Sequence, residues 1–350
     1  MKKNKKMKIL IYGGCFDPVH KGHVYLLKKA IKIIKPDKIY IIPNSIPPLK
    51  NHDNFSYPKN RLDMCNLAFS KIKNVVVSDY EITNFKNKVS YTYQTIEHFK
   101  KQFPQADLYL LIGSDRFEDF KKWKNWQYII KNTLIVVGNR TNKQMQTNDK
   151  HFIPININPI IVSSQQLRIE PSKKYLDKRI IKYIKEHKMY ISIQVQNLMS
   201  EKRYSHTLRV KDTALEIAKA VQYQHLDKIY YAAMYHDIAK EFDQNKTLAI
   251  VKKYDKHHYP TIHTLHGLVA AKYAKQHFNV TDKEVLNAIS EHVIPHKNCS
   301  TLAKIIYCAD KLEPSRTKTD VSDRVGYLNL VKKDLNEGFD KLYMEIKGKY

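Results

Sequence analysis

Residues 9–23 read ILIYGGCFDPVHKGH, and this stretch decides the fold of the first half of the chain. The apolar run at residues 9–12 predicts a buried parallel strand. Gly13 and Gly14 follow it directly, and glycine lets the backbone turn sharply and approach a phosphate closely. The sequence therefore predicts a strand that ends in a turn suited to phosphate.

A helix predicted over residues 24–34 follows this turn, which puts His20, Gly22 and His23 at its N-terminal end. The free amide groups and the dipole of a helix favour an anion at that end. Two imidazoles there suit a phosphate group that gains charge in a transition state. The plainer alternative is a glycine turn with two surface histidines. It is disfavoured because Gly-Gly, Asp-Pro and His-x-Gly-His coincide within eleven residues.

Strand-like and helical runs alternate through the first half of the chain. Such alternation predicts an α/β fold with a mostly parallel, doubly wound sheet, which is Rossmann-like. Ligands of such sheets bind at the carboxyl ends of the strands. The predicted strands are residues 8–12, 38–42, 75–77, 108–112 and 134–137, and the predicted helices are residues 24–34, 59–70, 91–101 and 125–131.

The second half of the chain has a different pattern. Strand alternation stops after residue 191, and from residue 196 onward one helical pattern follows another. A length of 350 residues suits two domains. We therefore predict an α/β domain over residues 1–190 and an all-α helical bundle over residues 191–350. The polar residues 141–150 predict a flexible loop within the first domain.

The formal net charge of +27 would suit a nucleic-acid partner. However, only nine of the 61 basic residues are Arg, and the charge is dispersed without a long basic block. The chain is rich in Lys, Asn, Ile and Tyr, whose codons are rich in A and T, so base composition explains most of the charge. We expect no dedicated nucleic-acid partner, and the sequence leaves the oligomeric state open.

Cysteine usage and hydropathy indicate a cytoplasmic protein. The four cysteines show no paired metal spacing and are interpreted as reduced thiols. No segment approaches the ~18 apolar residues of a membrane helix, so we expect no membrane partner. The basic start of the chain precedes only a short strand and not a secretory signal.

Further motifs follow the other predicted strands. Ser90-Tyr91-Thr92 opens a helix, Gly113-Ser114-Asp115 follows a strand, and Trp123 comes ten residues after Gly113. Residues 163–168 read SSQQLR. With the histidine motif, residues 7–190 resemble the bacterial nicotinate-nucleotide adenylyltransferases of the HxGH nucleotidyltransferase superfamily. Pantetheine-phosphate adenylyltransferases share only the first motif.

This resemblance implies transfer of an adenylyl group from ATP to nicotinate mononucleotide, with Mg²⁺ bridging the triphosphate oxygens. His20 and His23 would be the catalytic residues that stabilise the α-phosphoryl group. Thr92 and Trp123 would hold the pyridine nucleotide, Trp123 by stacking. The implied ATP and phosphate contacts are Gly13, Gly14, Phe16, Lys50, Gly113, Asp115, Ser163, Ser164 and Arg168.

Three of these assignments have a plainer alternative. Trp123 could pack in the core, the serine pair could be a helix N-cap, and Lys50 could be one more solvated lysine. The chain also departs from the family pattern, with Leu49 in place of a usual His and Gln165 in place of a usual Thr. Preference for nicotinamide mononucleotide therefore remains an alternative.

The second half carries six residues that suit a metal centre. The gaps between them are 18 to 30 residues, apart from one adjacent His-Asp pair, so separate helices would each deliver a ligand to the core of a bundle. Histidine and carboxylate ligands suit iron or manganese, with zinc as an alternative, and a carboxylate could bridge two metals. The six residues are His206, His236, Asp237, His266, His292 and Asp310.

These motifs are similar to those of the HD superfamily of metal-dependent phosphohydrolases, and more narrowly to the YqeK family, over residues 196–350. The resemblance implies symmetrical hydrolysis of diadenosine tetraphosphate to two ADP, with Asp237 as a catalytic ligand and Lys240 and Arg316 as phosphate contacts. By the resemblance, His266 and His292 lie where the family completes a second metal site or a phosphate site. Residues 293–297 depart from the family pattern. The alternatives are a nucleotide sensor or action on another phosphorylated substrate.

Overall fold

The computed structural model describes residues 6–46, 56–86, 88–139, 148–158, 160–255, 257, 261–296, 298–316 and 321–347. Leu49, Lys50 and Lys297 lie outside the described residues, as does most of the loop predicted at residues 141–150. The chain divides into two compact units, Met1–Tyr190 and Ile191–Tyr350.

The first unit is built on a six-stranded parallel sheet in the order β3-β2-β1-β4-β5-β6. Its strands are β1 (Lys8–Gly14), β2 (Lys38–Pro43), β3 (Val75–Val77), β4 (Asp107–Gly113), β5 (Leu134–Gly138) and β6 (Phe152–Ile155). Its α-helices are α1 (Lys21–Ile34), α2 (Pro58–Phe69), α3 (Tyr80–Asn84), α4 (Thr92–Gln102), α5 (Ser114–Phe117), α6 (Trp126–Asn132), α7 (Ser164–Ile169) and α8 (Lys178–Glu186). The predicted α/β fold is confirmed.

The central strand β1 is buried on both faces of the sheet. Leu10 and Tyr12 join the core formed with α1, α2 and α8, whereas Ile9 and Ile11 join the core formed with α4 and α6. Successive side chains of a strand point to opposite faces, so one apolar run contributes to both cores. The strand order reverses at β1, and a crevice therefore opens at the carboxyl ends of β1 and β4.

Helix α1 starts earlier than predicted, whereas the other predicted elements start and end within two residues of their predicted bounds. Helix α1 begins at Lys21 rather than at residue 24, because His20 is the N-cap residue with φ −137° and ψ 171°. The first helical turn holds polar residues and Gly22, so the apolar periodicity starts only at residue 24. Strand β6 was not predicted because it has four residues and includes Pro154, which is tolerated at the edge of a sheet.

The described part of the second unit contains helices and no strand. Its α-helices are α9 (Ile191–Gln196), α10 (Glu201–Ala220), α11 (Leu226–Tyr235), α12 (Gln244–Ile250), α13 (His266–Phe278), α14 (Lys283–Glu291), α15 (Thr301–Leu312), α16 (Arg324–Lys333) and α17 (Leu335–Lys347). Ser200, Asp282 and Ser300 cap α10, α14 and α15 through their side-chain oxygens, and such caps stabilise a helix by about 1 kcal/mol each. None of the described helices combines the length and apolar character needed to cross a membrane.

Candidate active sites of the two units

The two histidines of the first motif form a stacked pair at the start of α1. Their ring centroids lie 3.7 Å apart at an interplanar angle of 29°. The backbone N–H of His20 donates to Nδ1 of His23 at 3.1 Å. Nδ1 of His23 is therefore an acceptor, and the neutral ring carries its proton on Nε2, which can donate to a phosphate oxygen. Only 4% of His20 and 8% of His23 is exposed.

The pair lies at the walls of two cavities in this crevice. A cavity of about 810 Å³ is lined by His23, and a cavity of about 450 Å³ is lined by His20. Tyr12, Ser163 and Gln165 line both. The larger cavity brings together most of the residues predicted for this site, namely Gly13, Gly14, Phe16, Thr92, Gly113, Asp115, Trp123, Ser163, Ser164 and Arg168.

The serines and the arginine of the last motif also have structural roles. Ser163 is the N-cap of α7, and its Oγ accepts from the N–H of Gln166 at 3.1 Å. Ser164 donates to the carbonyl of Pro18 at 2.9 Å, and Arg168 Nη1 donates to the carbonyl of Asp17 at 2.8 Å. These three side chains thus have structural partners at the wall of the cavity.

Trp123 likewise contacts both the protein core and the larger cavity. It lies 5.2 Å from the ring of Phe120, centroid to centroid, and packs against the core beneath α4 and α6. It also lines the larger cavity together with Thr92 at the start of α4. Core packing and contact with a ligand are therefore compatible for this side chain.

Two buried charged residues of the first unit were not predicted from the sequence, and the first is Glu81. Glu81 in α3 accepts hydrogen bonds from Ser90 and, at 2.6 Å, from Thr95, and it lines the larger cavity. Burial raises the pKa of its carboxyl group, although these hydrogen bonds oppose the effect. No periodic or motif signal marked Glu81, because its helix has only five residues.

The second missed residue is Arg61 in α2, whose guanidinium is almost completely buried. It donates to the carbonyl oxygens of Cys15 at 3.1 Å, Ser45 at 2.7 Å and Ser56 at 3.2 Å. A buried guanidinium needs several acceptors, so Arg61 fixes the loops after β1 and β2 against one another. The scarcity of Arg in this lysine-rich chain was the one available signal.

In the second unit, His236, His266 and His292 share one hydrogen-bond arrangement. The Nδ1 of each ring lies 2.6 or 2.7 Å from the backbone carbonyl oxygen of the residue three positions earlier. A carbonyl oxygen only accepts, so Nδ1 of each ring carries the proton and Nε2 keeps its lone pair. The helical backbone thus orients three Nε2 lone pairs inside the bundle.

These lone pairs converge beside the Asp237 carboxylate. Asp237 Oδ1 lies 3.2 Å from His266 Nε2 and 3.3 Å from His292 Nε2. The two Nε2 atoms are 3.1 Å apart. Among the described residues, Nε2 of His236 is buried and has no hydrogen-bond partner. A buried imidazole lone pair without a donor, beside a second imidazole nitrogen and a carboxylate oxygen, is what a bound cation would satisfy. These residues therefore fit a metal.

Two overlapping groups have ligand atoms within 4.8 Å of one another. One is His206, His236 and Asp310, and the other is His236, Asp237 and His292. The structure therefore brings five of the six predicted ligands into these groups, and His266 lies beside them. His236 belongs to both groups.

The charge states in this cluster suit metal binding. Burial lowers the pKa of His236 and of His292, which favours the neutral imidazole that ligates metals. Burial alone would raise the pKa of Asp310, but the charges of Lys311 and Arg316 outweigh it and hold that pKa well below its usual range. His236 and His292 therefore offer neutral imidazoles and Asp310 an ionised carboxylate. Burial alone would lower the pKa of His206, but the neighbouring carboxylates, Asp310 first, outweigh it and raise that pKa.

Both predicted phosphate contacts lie at the cluster. Lys240 Nζ is 3.1 Å from His266 Nε2, and Arg316 Nη1 donates to Asp310 Oδ1 at 2.9 Å. Two further cations, which the sequence did not predict for this site, lie there as well. Arg203 Nη1 donates to Asp237 Oδ2 at 2.8 Å, and Lys311 Nζ donates to Asp310 Oδ2 at 2.8 Å.

The chain matches two family models, cytidylyltransferase-like over residues 11–170 and HD domain over residues 203–315. A Mycoplasma genitalium protein, described as a probable nicotinate-nucleotide adenylyltransferase/Ap4A hydrolase, is 34% identical over 334 residues, covering 93% of this chain and 93% of that protein. The chain belongs to this nicotinate-nucleotide adenylyltransferase/Ap4A hydrolase family.

Other relatives agree with this membership. A Mycoplasma pneumoniae protein with the same description is 31% identical over 352 residues, covering 97% of this chain and 98% of that protein. A probable nicotinate-nucleotide adenylyltransferase of Borrelia hermsii is 35% identical over 190 residues, covering 53% of this chain and 98% of that protein. The predicted family resemblance and enzyme class are confirmed, and the HD domain implies a divalent metal at the His/Asp cluster.

Proposed function

We propose that residues 1–190 transfer an adenylyl group from ATP to nicotinate mononucleotide, giving deamido-NAD and pyrophosphate, and that residues 191–350 hydrolyse diadenosine tetraphosphate to two ADP. The observation that carries the first half is the stacked histidine pair at the start of α1, with one ring on each of two cavities. The names of the two full-length relatives support the pairing of activities.

In the transfer step, a phosphate oxygen of nicotinate mononucleotide attacks the α-phosphorus of ATP. The bond between that phosphorus and the oxygen bridging to the β-phosphorus breaks, and pyrophosphate leaves. No covalent enzyme intermediate is needed, so catalysis consists of positioning and charge stabilisation. His20 and His23 would donate hydrogen bonds to the α-phosphoryl oxygens as negative charge develops.

The remaining residues of the larger cavity would position the two substrates. Gly13, Gly14, Phe16, Gly113 and Asp115 would contact ATP. Ser163, Ser164 and Arg168 would hold its β- and γ-phosphates, with further charge from Lys50 and from Mg²⁺ carried by the triphosphate. Thr92 and Trp123 would hold the pyridine ring and its carboxyl group.

The second reaction is symmetrical hydrolysis. Water adds to a β-phosphorus of diadenosine tetraphosphate, the bond to the central bridging oxygen breaks, and two ADP form. His206, His236, Asp237, His266, His292 and Asp310 would hold the metal. A bound divalent metal supplies a water of lowered pKa and polarises a phosphoryl oxygen.

Iron or manganese suits this mixed set of histidine and carboxylate ligands, and two overlapping ligand groups support a binuclear centre. Zinc remains the alternative. Lys240 and Arg316, together with Arg203 and Lys311, surround the ligands with positive charge. These cations would contact the polyphosphate chain of the substrate, Arg through paired hydrogen bonds and Lys as a point charge.

Product analysis by chromatography tests the proposal. The full-length protein is incubated with ATP, Mg²⁺ and either nicotinate or nicotinamide mononucleotide, and separately with diadenosine tetraphosphate and Mn²⁺ or Fe²⁺. We expect deamido-NAD and pyrophosphate in the first reaction and ADP alone in the second. NAD in place of deamido-NAD would overturn the substrate assignment, and AMP with ATP would overturn symmetrical cleavage. Binding of diadenosine tetraphosphate without turnover would make the second unit a sensor.

A further inference from the structure

His206 differs from the other three histidines of the cluster in what holds its ring. The Nδ1 atoms of His236, His266 and His292 each face a carbonyl of their own helical turn or of the turn before it. Nδ1 of His206 instead lies 3.1 Å from the carboxylate oxygen Oε1 of Glu313, a residue 107 positions later in the chain. An ionised carboxylate only accepts, so Nδ1 of His206 carries a proton.

Glu313 is itself fixed in place. Only 1% of the residue is exposed. Its Oε2 atom accepts from Arg209 Nε at 3.0 Å, from the backbone N–H of Ser315 at 2.9 Å and from the Ser315 hydroxyl at 2.8 Å. The Ser315 hydroxyl also lies 3.2 Å from Oε1, the atom that faces Nδ1 of His206. Several donors thus share in fixing this carboxylate. A rigid carboxylate behind an imidazole fixes the ring orientation and raises its basicity as a ligand.

The location of His206 explains why such a support is needed. His206 projects from the first turns of α10, whereas Asp310 and Glu313 lie at the end of α15 and just beyond it. The other ring nitrogen, Nε2, faces Asp310 Oδ1 at 3.0 Å, inside the ligand group formed by His206, His236 and Asp310. One side chain therefore joins α10 to the metal ligands while Glu313 sets its direction.

We propose that Glu313 is a positioning residue of the metal centre: its carboxylate holds His206 in the Nδ1–H form, with Nε2 directed at the metal beside Asp310. This inference rests on the proposed metal centre. It predicts that Glu313 controls metal affinity at the group containing His206 rather than contacting substrate or metal.

Metal binding to the full-length, metal-free protein tests this inference, with Mn²⁺ and Zn²⁺ as probes in separate titrations against a competing chromogenic chelator. Removal of an outer partner of a ligating histidine lowers metal affinity by about 10- to 100-fold. We expect this loss in Glu313→Ala and a smaller loss in Glu313→Gln, because the amide oxygen still accepts from Nδ1. In the His206→Ala background, Glu313→Ala should cause no further loss, since the residue acts through that ring.

Arg209→Gln and Ser315→Ala are the matched controls. Each removes a partner of Glu313 without removing the contact between Glu313 and His206, so each should keep metal affinity within about threefold of the wild-type value, a difference of under about 1 kcal/mol. A purely structural role for Glu313 predicts equal losses in these controls and in Glu313→Gln, and would overturn the inference. Equal affinity of wild type and Glu313→Ala would also overturn it. Failure of the wild-type protein to bind either metal would instead overturn the proposed metal centre.

Discussion

Substitution of Gly22 by alanine should separate the stability of the first unit from its catalysis. Gly22 lies in the first turn of α1, and a Cβ atom there would lie 3.0 Å from both Cε1 and Nδ1 of His20, with the carbonyl oxygen of Ile160 at 3.5 Å on another side. Ordinary contacts of a Cβ atom begin at 3.4 Å, so the His20 ring must move by a few tenths of an ångström.

The two consequences have opposite signs. Alanine in a helix is favoured over glycine by about 0.5–1 kcal/mol, so the free energy of unfolding should stay the same or rise. A misplacement of about 1 Å at a reacting centre costs about 100-fold in rate. A shift of a few tenths of an ångström should therefore lower kcat/KM for adenylyl transfer about tenfold, which is about 1.4 kcal/mol.

The assay is pyrophosphate release from ATP and nicotinate mononucleotide, with thermal unfolding and hydrolysis of diadenosine tetraphosphate measured on the same samples. Lys28→Ala, at an exposed position of the same helix, is the control and should leave transfer unchanged. If Gly22→Ala is folded and transfers at the wild-type rate, the position of His20 does not limit the reaction, and the role assigned to the histidine pair is wrong.

Three further predictions concern the two sites. Trp123→Ala should raise KM for nicotinate mononucleotide about tenfold with kcat almost unchanged, because aromatic stacking on a base contributes about 1–3 kcal/mol. A loss of stability with unchanged KM would instead assign Trp123 to the core alone. Burial raises the pKa of Glu81 above the ordinary carboxyl value of 4.5. In this pH range the native state therefore binds more protons than the unfolded state. The contribution of Glu81 to the free energy of unfolding is full below pH 4.5 and is lost as pH rises through the raised pKa. The urea concentration at the midpoint of unfolding should therefore become higher for Glu81→Gln than for wild type as pH rises. A difference between the two midpoints that does not change with pH would contradict this. Removal of bound metal with a chelator, followed by assay in Mg²⁺ alone, should abolish hydrolysis and retain adenylyl transfer. It should also lower the unfolding temperature of the second unit, and added Mn²⁺ should restore both that temperature and hydrolysis. Retained hydrolysis in Mg²⁺ alone would exclude a transition-metal centre.

The histidines and carboxylates of both candidate sites could be predicted from the sequence because each belongs to a local sequence pattern. The strand and turn at residues 9–23 place His20 and His23 because a buried strand, two glycines and a helix start are all local signals. The His236-Asp237 pair and its distant partners could be predicted because the ligands fall in or directly after separate helical runs. Helix α1 still began three residues earlier than expected, since capping by a histidine has no apolar periodicity.

The supporting residues could not be predicted in the same way. Arg61, Glu81 and Glu313 each have at least one partner that is distant in the chain, namely Cys15 for Arg61, Ser90 for Glu81 and His206 for Glu313. A charged side chain in a mostly lysine-rich sequence looks like part of a solvated surface until the fold buries it. Such residues are expected to be exposed on composition alone, and only the tertiary structure pairs them.

The central claim is that one chain carries two independent active sites. It is tested most directly by measuring both activities in full-length His20→Ala and Asp237→Ala proteins whose folding has been verified. We predict that His20→Ala loses pyrophosphate release and keeps hydrolysis of diadenosine tetraphosphate, and that Asp237→Ala does the reverse. Loss of both activities in either folded variant would contradict the two-site account.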